Sequence, residues 1–150
     1  MKAIIERIIT ENLSVSIQSK VTSVDKSANT CDVSPLDGGA EILDVQLKAD
    51  DGKSKGQIIY PSTGSVVLVS PLNNSKSNFF VSMFSEVDEI SNVIDGTKLV
   101  IDKSGFIFEK GNDSMKSLLN DIVDQMLKIY APKDVPGITR LKVKINNLFK

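Results

Sequence analysis

Few residues in this 150-residue chain could do chemistry, and their surroundings argue against most of it. Ser23-Val24-Asp25-Lys26 matches a Ser-x-x-Lys pattern, in which a lysine can activate a serine nucleophile. That chemistry needs a helix to aim both groups together. Here the pattern falls where a strand runs into a turn, so it reads as a solvated turn. Glu86, Asp88 and Glu89 gather carboxylates that could divide acid and base roles, as in glycoside hydrolysis. No cleft-forming insertion or aromatic sugar platform accompanies them, which leaves a surface acidic turn. Asp50-Asp51-Gly52 begins like a calcium loop but lacks the alternating ligands and the closing Glu. Cys31 alternates inside a strand with no basic neighbour to lower its pKa, so a buried structural thiol is expected. No glycine loop cradles phosphate: Gly38-Gly39 sits in a hairpin, and Gly64 precedes a strand rather than a helix.

Composition removes further classes. Histidine is absent, and with it every His general base, every Ser-His or Cys-His pair and the commonest metal ligand. A single Cys allows no internal disulfide and no Cys-based zinc site. Lys plus Arg is 18 against 19 Asp plus Glu, a net charge of −1 without the footprint of a general nucleic-acid binder. Hydrophobic residues are 41%, enough for a core, although aromatics are only 5%. A folded protein that is not an enzyme, with no cofactor and no metal, is the expectation. Glu6 and Arg7 interrupt the apolar start Met1-Lys2-Ala3-Ile4-Ile5 before a signal-peptide core can form. No stretch approaches ~18 apolar residues, so no stable membrane insertion is expected, and folding in a reducing cytoplasm is.

The elements that position these residues divide by periodicity. Ile4, Ile5, Ile8 and Ile9 lie at helical spacing and predict a short N-terminal helix over 1–12. From 13 to 90 the pattern is strands and turns: Val15 to Val24, Thr30 to Ser34 stopping at Pro35, Ile42 to Leu47, Gly56 to Tyr60, Ser65 to Val69, and Phe79 to Phe84. The run Ser65-Val66-Val67-Leu68-Val69 predicts burial on both faces. Short strands with turn signals every 8–12 residues predict a small sandwich or closed barrel. A five- or six-stranded barrel of oligonucleotide/oligosaccharide-binding (OB) type is the economical solution, because closure removes exposed edges. Residues 91–111 hold three weak β segments, a meander with too few apolar residues for a core of its own. The fold class is therefore mainly β with an α-helical tail: a small closed OB-type β-barrel, a short β-meander and a C-terminal helical hairpin over 112–150.

OB-type barrels often bind single strands by stacking bases on aromatics beside a basic groove. Tyr60, Phe79, Phe80 and Phe84 are the available aromatics, but both faces of the Phe79–Phe84 segment look like core, and Lys48, Lys53, Lys55 and Lys76 lie mainly in loops. A single-strand nucleic-acid-binding module is thus the alternative reading, not the favoured one. The tail carries the stronger signal. Behind an N-cap at Asp113 or Ser114, Met115, Leu118, Leu119, Ile122, Val123, Met126, Leu127 and Tyr130 follow at spacings of three and four. A second helix from about Ile138 carries Ile138, Leu141, Ile145, Leu148 and Phe149, with Arg140, Lys142 and Lys144 outside. So long a stripe exceeds what a thin meander can cover. Met115, Leu118, Leu119, Ile122, Val123 and Met126 are the residues expected to self-associate.

Val21-Thr22-Ser23-Val24-Asp25, Thr30-Cys31-Asp32-Val33 and Ile42-Leu43-Asp44-Val45-Gln46-Leu47 resemble the opening of baseplate hub and spike proteins of phage tails. Tyr60-Pro61-Ser62-Thr63-Gly64-Ser65 through Val69, and Phe80 through Asp88, continue in the same order. Ser117 to Ile122 and Leu141 to Leu148 are similar to the helical ends of small baseplate proteins from Bacteroidetes-type prophages. The resemblance implies an OB-type barrel on the axis of a homotrimer, which joins the tail tube to the baseplate tip. The implied partners are the tail tube and other baseplate proteins, met by the loops at 50–55 and 73–78. The implied place is the virion tail, of a phage or a related contractile injection system, assembled in the bacterial host cytoplasm. The chain departs from larger relatives in having no fused lysozyme domain, no long triple-stranded β-helix and no His-x-His iron site.

Overall fold

The pairing of β1 (Ile17–Asp25) along both its edges closes a barrel. Its partners are β2 (Thr30–Pro35) and β5 (Val66–Pro71), both antiparallel. The remaining barrel strands are β3 (Ile42–Gln46) and β6 (Phe79–Phe84), and the order around the barrel is β1-β2-β3-β6-β5. β3 meets β6 in parallel at Gln46 and Phe80, the one parallel step in an otherwise antiparallel ring. The computed structural model describes residues 15–49, 55–129 and 135–150. The expected helix over 1–12 and the loop Asp50-Asp51-Gly52 lie outside the described residues.

The barrel core is small and rich in valine. Val21, Cys31, Val33, Val45, Val67, Val69 and Val81 form it, with Val24, Ile42, Leu47, Phe79 and Phe84 packed around them. Three register shifts make that core possible. Thr22 is the extra residue where β1 slips against β2, so Val21 and Val24 both reach the interior despite opposite parity. Ser82 plays the same part on β6: Leu68 pairs with Met83 and Val69 with Val81, which turns Met83 outward and Phe84 inward. On β3 the slip lies between the pairs Cys31–Val45 and Val33–Ile42, where Asp44 takes a left-handed φ of 55° and donates its N–H to the Asp32 carboxylate at 3.0 Å. Bulges bend strands and sharpen twist, which a barrel of so few strands needs.

Two strand expectations are corrected. Val67 and Val69 are interior, but Val66 is exposed and Leu68 half-buried, so the Ser65–Val69 run is not buried on both faces. The outer side of β5 and β6 is a weakly apolar surface instead. The second correction concerns β4 (Gly56–Pro61), which does not enter the barrel. Barrel closure by β1 and β5 leaves it no slot, and it forms the edge of a second, five-stranded sheet in the order β10-β9-β8-β7-β4.

That second sheet belongs to a separate compact unit made of residues 52–59 and 88–150. β7 (Val87–Ile94), β8 (Thr97–Asp102) and β9 (Gly105–Lys110) form the expected meander, turned at Asp95-Gly96 with φ values of 45° and 78°. The meander does not lack a core. β4 widens it, β10 (Asp113–Ser114) caps one edge, and two helices pack against β9, with Val100 and Val123 buried in this unit. Helix α1 spans Met115–Ile129 and α2 spans Val135–Leu148. Ser114 is the N-cap, its hydroxyl accepting the Ser117 N–H at 3.1 Å. The helices run antiparallel: Asn120 Nδ2 donates to Asn146 Oδ1 at 3.2 Å, and Lys142 Nζ donates to both Asp124 oxygens at 2.8 and 2.9 Å. Two details differ from expectation. α2 begins at Val135 rather than near Ile138, and Lys142 faces α1 instead of lying outside with Arg140 and Lys144.

After α2 the chain returns to the sheet. Phe149 bridges Phe106 on the edge that β10 also caps, and their rings meet at 6.4 Å between centroids. The Lys150 N–H donates to the Phe106 carbonyl at 3.1 Å, and its ammonium pairs with Asp102. This docking is possible because position 105 is glycine: at φ 129° a Cβ would lie 2.5 Å from the Leu148 carbonyl oxygen. Gly96 also has positive φ, but open space surrounds it. Gly105→Ala is therefore expected to cost about 2–4 kcal/mol, from backbone strain plus the clash, against about 1 kcal/mol for Gly96→Ala. Urea denaturation followed by circular dichroism measures both; equal losses would mean that the segment after α2 contributes nothing at this edge.

Candidate interaction surface

Ser23 and Lys26 are engaged by different neighbours, and Asp88 and Glu89 are held apart. Ser23 Oγ donates to Asp32 Oδ2 at 2.7 Å, while the Lys26 ammonium lies 5.1 Å from the centroid of the Tyr60 ring. The two are thus occupied by different neighbours, as a turn rather than a nucleophile pair. Asp88 and Glu89 are consecutive on β7, so their side chains leave opposite faces of the sheet and cannot flank one bond. Among the described residues, no three His, Cys, Asp or Glu side chains form a group that could hold a metal ion.

Aromatic residues considered for base stacking are mostly spent on the fold. Tyr60 is buried, and its hydroxyl donates to Asn29 Oδ1 at 2.8 Å, fixing the left-handed residue that ends the β1–β2 turn. Phe79 and Phe84 pack on the barrel core. Phe80 differs: it lines a shallow cavity of about 220 Å³ with Gln46, Leu47, Lys48 and Leu72. That volume is below the ~300 Å³ where small-molecule sites begin. Of the lysines, Lys55 forms an exposed ion pair with Asp95 at 3.0 Å, and Lys53 lies outside the described residues.

The helical stripe leaves apolar surface open, as do Ile94, Ile101, Phe106 and Phe108 on the sheet of the same unit. Six residues of the eight-residue stripe are those expected to self-associate, and the sheet and α2 cover only part of them. Val123 is 5% exposed, and Met115 and Leu119 are half-buried. Leu118, Ile122 and Met126 stand 51%, 57% and 45% exposed. These three recur every four residues and form a continuous outer line on α1. Leu141 and Leu148 of α2, expected in the apolar stripe of that helix, are 48% and 51% exposed. Sequence reasoning had no signal for this division, because a stripe wider than one contact does not say which edge the sheet takes. No helix among the described residues is long and apolar enough to cross a membrane, so membrane burial of these lines by a spanning helix does not arise.

Comparison with protein-family models, curated proteins and solved structures gives no match.

Cys31 is 1% exposed inside the barrel, and burial, reinforced by the adjacent Asp32 charge, pushes its thiol from 9.0 up to about 12. The unfolded thiol ionises first, so above pH 9 the unfolded state binds fewer protons and stability falls. The expected loss is up to about 1.4 kcal/mol per pH unit between 9 and 12, absent below 9. Urea midpoints of wild type and Cys31→Ala across this range check it: the wild-type curve should fall more steeply, and parallel curves would contradict burial of the thiol. Folded protein should also resist iodoacetamide at pH 8.5, while denatured protein reacts.

Proposed function

We propose that this protein is a structural, non-catalytic part of a phage tail or related contractile injection system: a baseplate hub or spike-like component that forms an axial trimer and joins tail tube to baseplate tip. The single observation that carries self-association is the outer line of α1, three large apolar residues about half exposed on a helix whose other side is packed. A contiguous apolar line on the open side of a packed helix supports an interaction surface, and apolar area removed from water is worth about 25 cal/mol per Å². The hub reading draws on the sequence resemblance, and the closed OB-type barrel is the fold that resemblance implies. Such a part acts by symmetry and fit. Three copies around an axis present a rigid platform, and the surface loops meet neighbouring tail components. This reading calls for no catalysis: Ser23 is held by Asp32, and Asp88 and Glu89 leave opposite faces of β7.

Single-strand binding draws less support, because Tyr60, Phe79 and Phe84 serve the core. Tyr60→Ala is a stability variant in this fold, so loss of DNA affinity on that change would not identify a stacking platform. The direct test is absolute mass by light scattering behind a sizing column. Wild type is expected at three times 16.3 kDa. The triple variant Leu118→Ser, Ile122→Ser, Met126→Ser should run as one chain with an unchanged circular dichroism spectrum. A wild type that stays at one chain at about 100 µM would contradict the proposal.

A further inference from the structure

We propose that the outer flank of α1 in one copy docks on the outer flank of α2 in the next, so that copies join head to tail through their helical pairs. This rests on the self-association reading and names the surface that receives α1. Within one chain the helices meet at Asn120–Asn146 and Asp124–Lys142. Each helical residue advances 100°, so a residue two positions from such a contact points to the far side. On α1 those positions are Leu118, Ile122 and Met126; on α2 they are Arg140, Lys144 and Leu148. All six are exposed, and Leu141 adjoins the α2 set. The helical pair therefore has two open flanks, one on each helix.

The flanks complement each other. The α1 flank is apolar and bordered by Asp121; the α2 flank is apolar at Leu141 and Leu148 and carries Arg140 and Lys144. Among the described residues none of these three charges forms an ion pair within the chain. Carried to the next copy, the antiparallel register of the intrachain contacts sets Leu118 against Leu148. It lays the Lys144 stem over Ile122, with its ammonium towards Asp121. A rotation axis parallel to the helices keeps α1 and the neighbouring α2 antiparallel, as they are within one chain. A heterologous contact of this kind closes into a ring and uses both flanks of every copy. A twofold contact of α1 with α1 would leave the α2 flank in water and would place Asp121 near its own copy.

Blocking each flank separately tests the arrangement. Ile122→Glu and Leu141→Glu each change an exposed position, and each is expected to reduce the wild-type assembly to single chains by light scattering. Mixed in equal amounts they should form a two-chain species and nothing larger, because each supplies the flank that the other lacks. A Leu141→Glu protein that keeps the wild-type mass overturns head-to-tail docking while self-association stands. A monomeric wild type overturns both. The double variant Arg140→Glu, Lys144→Glu gives an independent reading. It should weaken assembly by on the order of 100-fold, and adding Asp121→Lys should restore most of it. Failure of that restoration removes the charge pairing from the proposal.

Discussion

Strand β1 pairs on both sides, and Ser19 shows the constraint in a single residue: it lies opposite Pro35 on β2 and opposite Val67 on β5. Once those ladders form, five strands are committed to a closed ring and no barrel edge is left to be covered. The interior of so small a ring accepts few side chains, which is why valines rather than large aromatics fill it. The same closure decides the fate of β4. With both neighbours of β5 already in place, β4 pairs with β7 and enlarges the second sheet.

The second unit solves the burial problem only halfway. Its sheet is capped along one edge by β10 and Phe149, and the helices reach β9. Two helices joined by polar contacts at Asn120–Asn146 and Asp124–Lys142 hold their register well, since those pairs accept few alternative alignments. The apolar residues of α1 divide. One set turns inward, as Val123 does, and the other, Leu118, Ile122 and Met126, faces solvent in the single chain. The self-association reading follows from this division more than from the length of the stripe.

Sequence alone conveyed the elements better than their partners. Strict alternation in Thr30-Cys31-Asp32-Val33-Ser34-Pro35 announces β2, and Cys31, Val33 and Pro35 are buried as that alternation requires. Ser114 as N-cap and the turn at Asp95-Gly96 were equally legible, because capping and left-handed turns have local chemistry. The bulges were not. Thr22 and Ser82 carry no glycine or other local mark, yet each reverses the parity of the residues after it, so Phe84 is interior and Met83 is exposed at 64%. Which sheet β4 joins is also a non-local outcome, set by closure elsewhere. Of the six residues expected to self-associate, the spacing fixed the face but not its boundary, which depends on where β9 and α2 approach. The engaged states of Ser23 and Tyr60 depend on cross-strand neighbours that no spacing rule names.

Methionine oxidation tests the central claim, that the outer line of α1 is covered by another copy, at the residues themselves. Met126 lies on that line at 45% exposure, and Met83 lies on the outer barrel surface at 64%. Oxidation rates by dilute peroxide, read by mass spectrometry over a protein concentration series, compare the two in one chain. If the account is right, Met126 becomes progressively protected as concentration rises while Met83 continues to oxidise at its original rate. Equal, concentration-independent oxidation of both would contradict it.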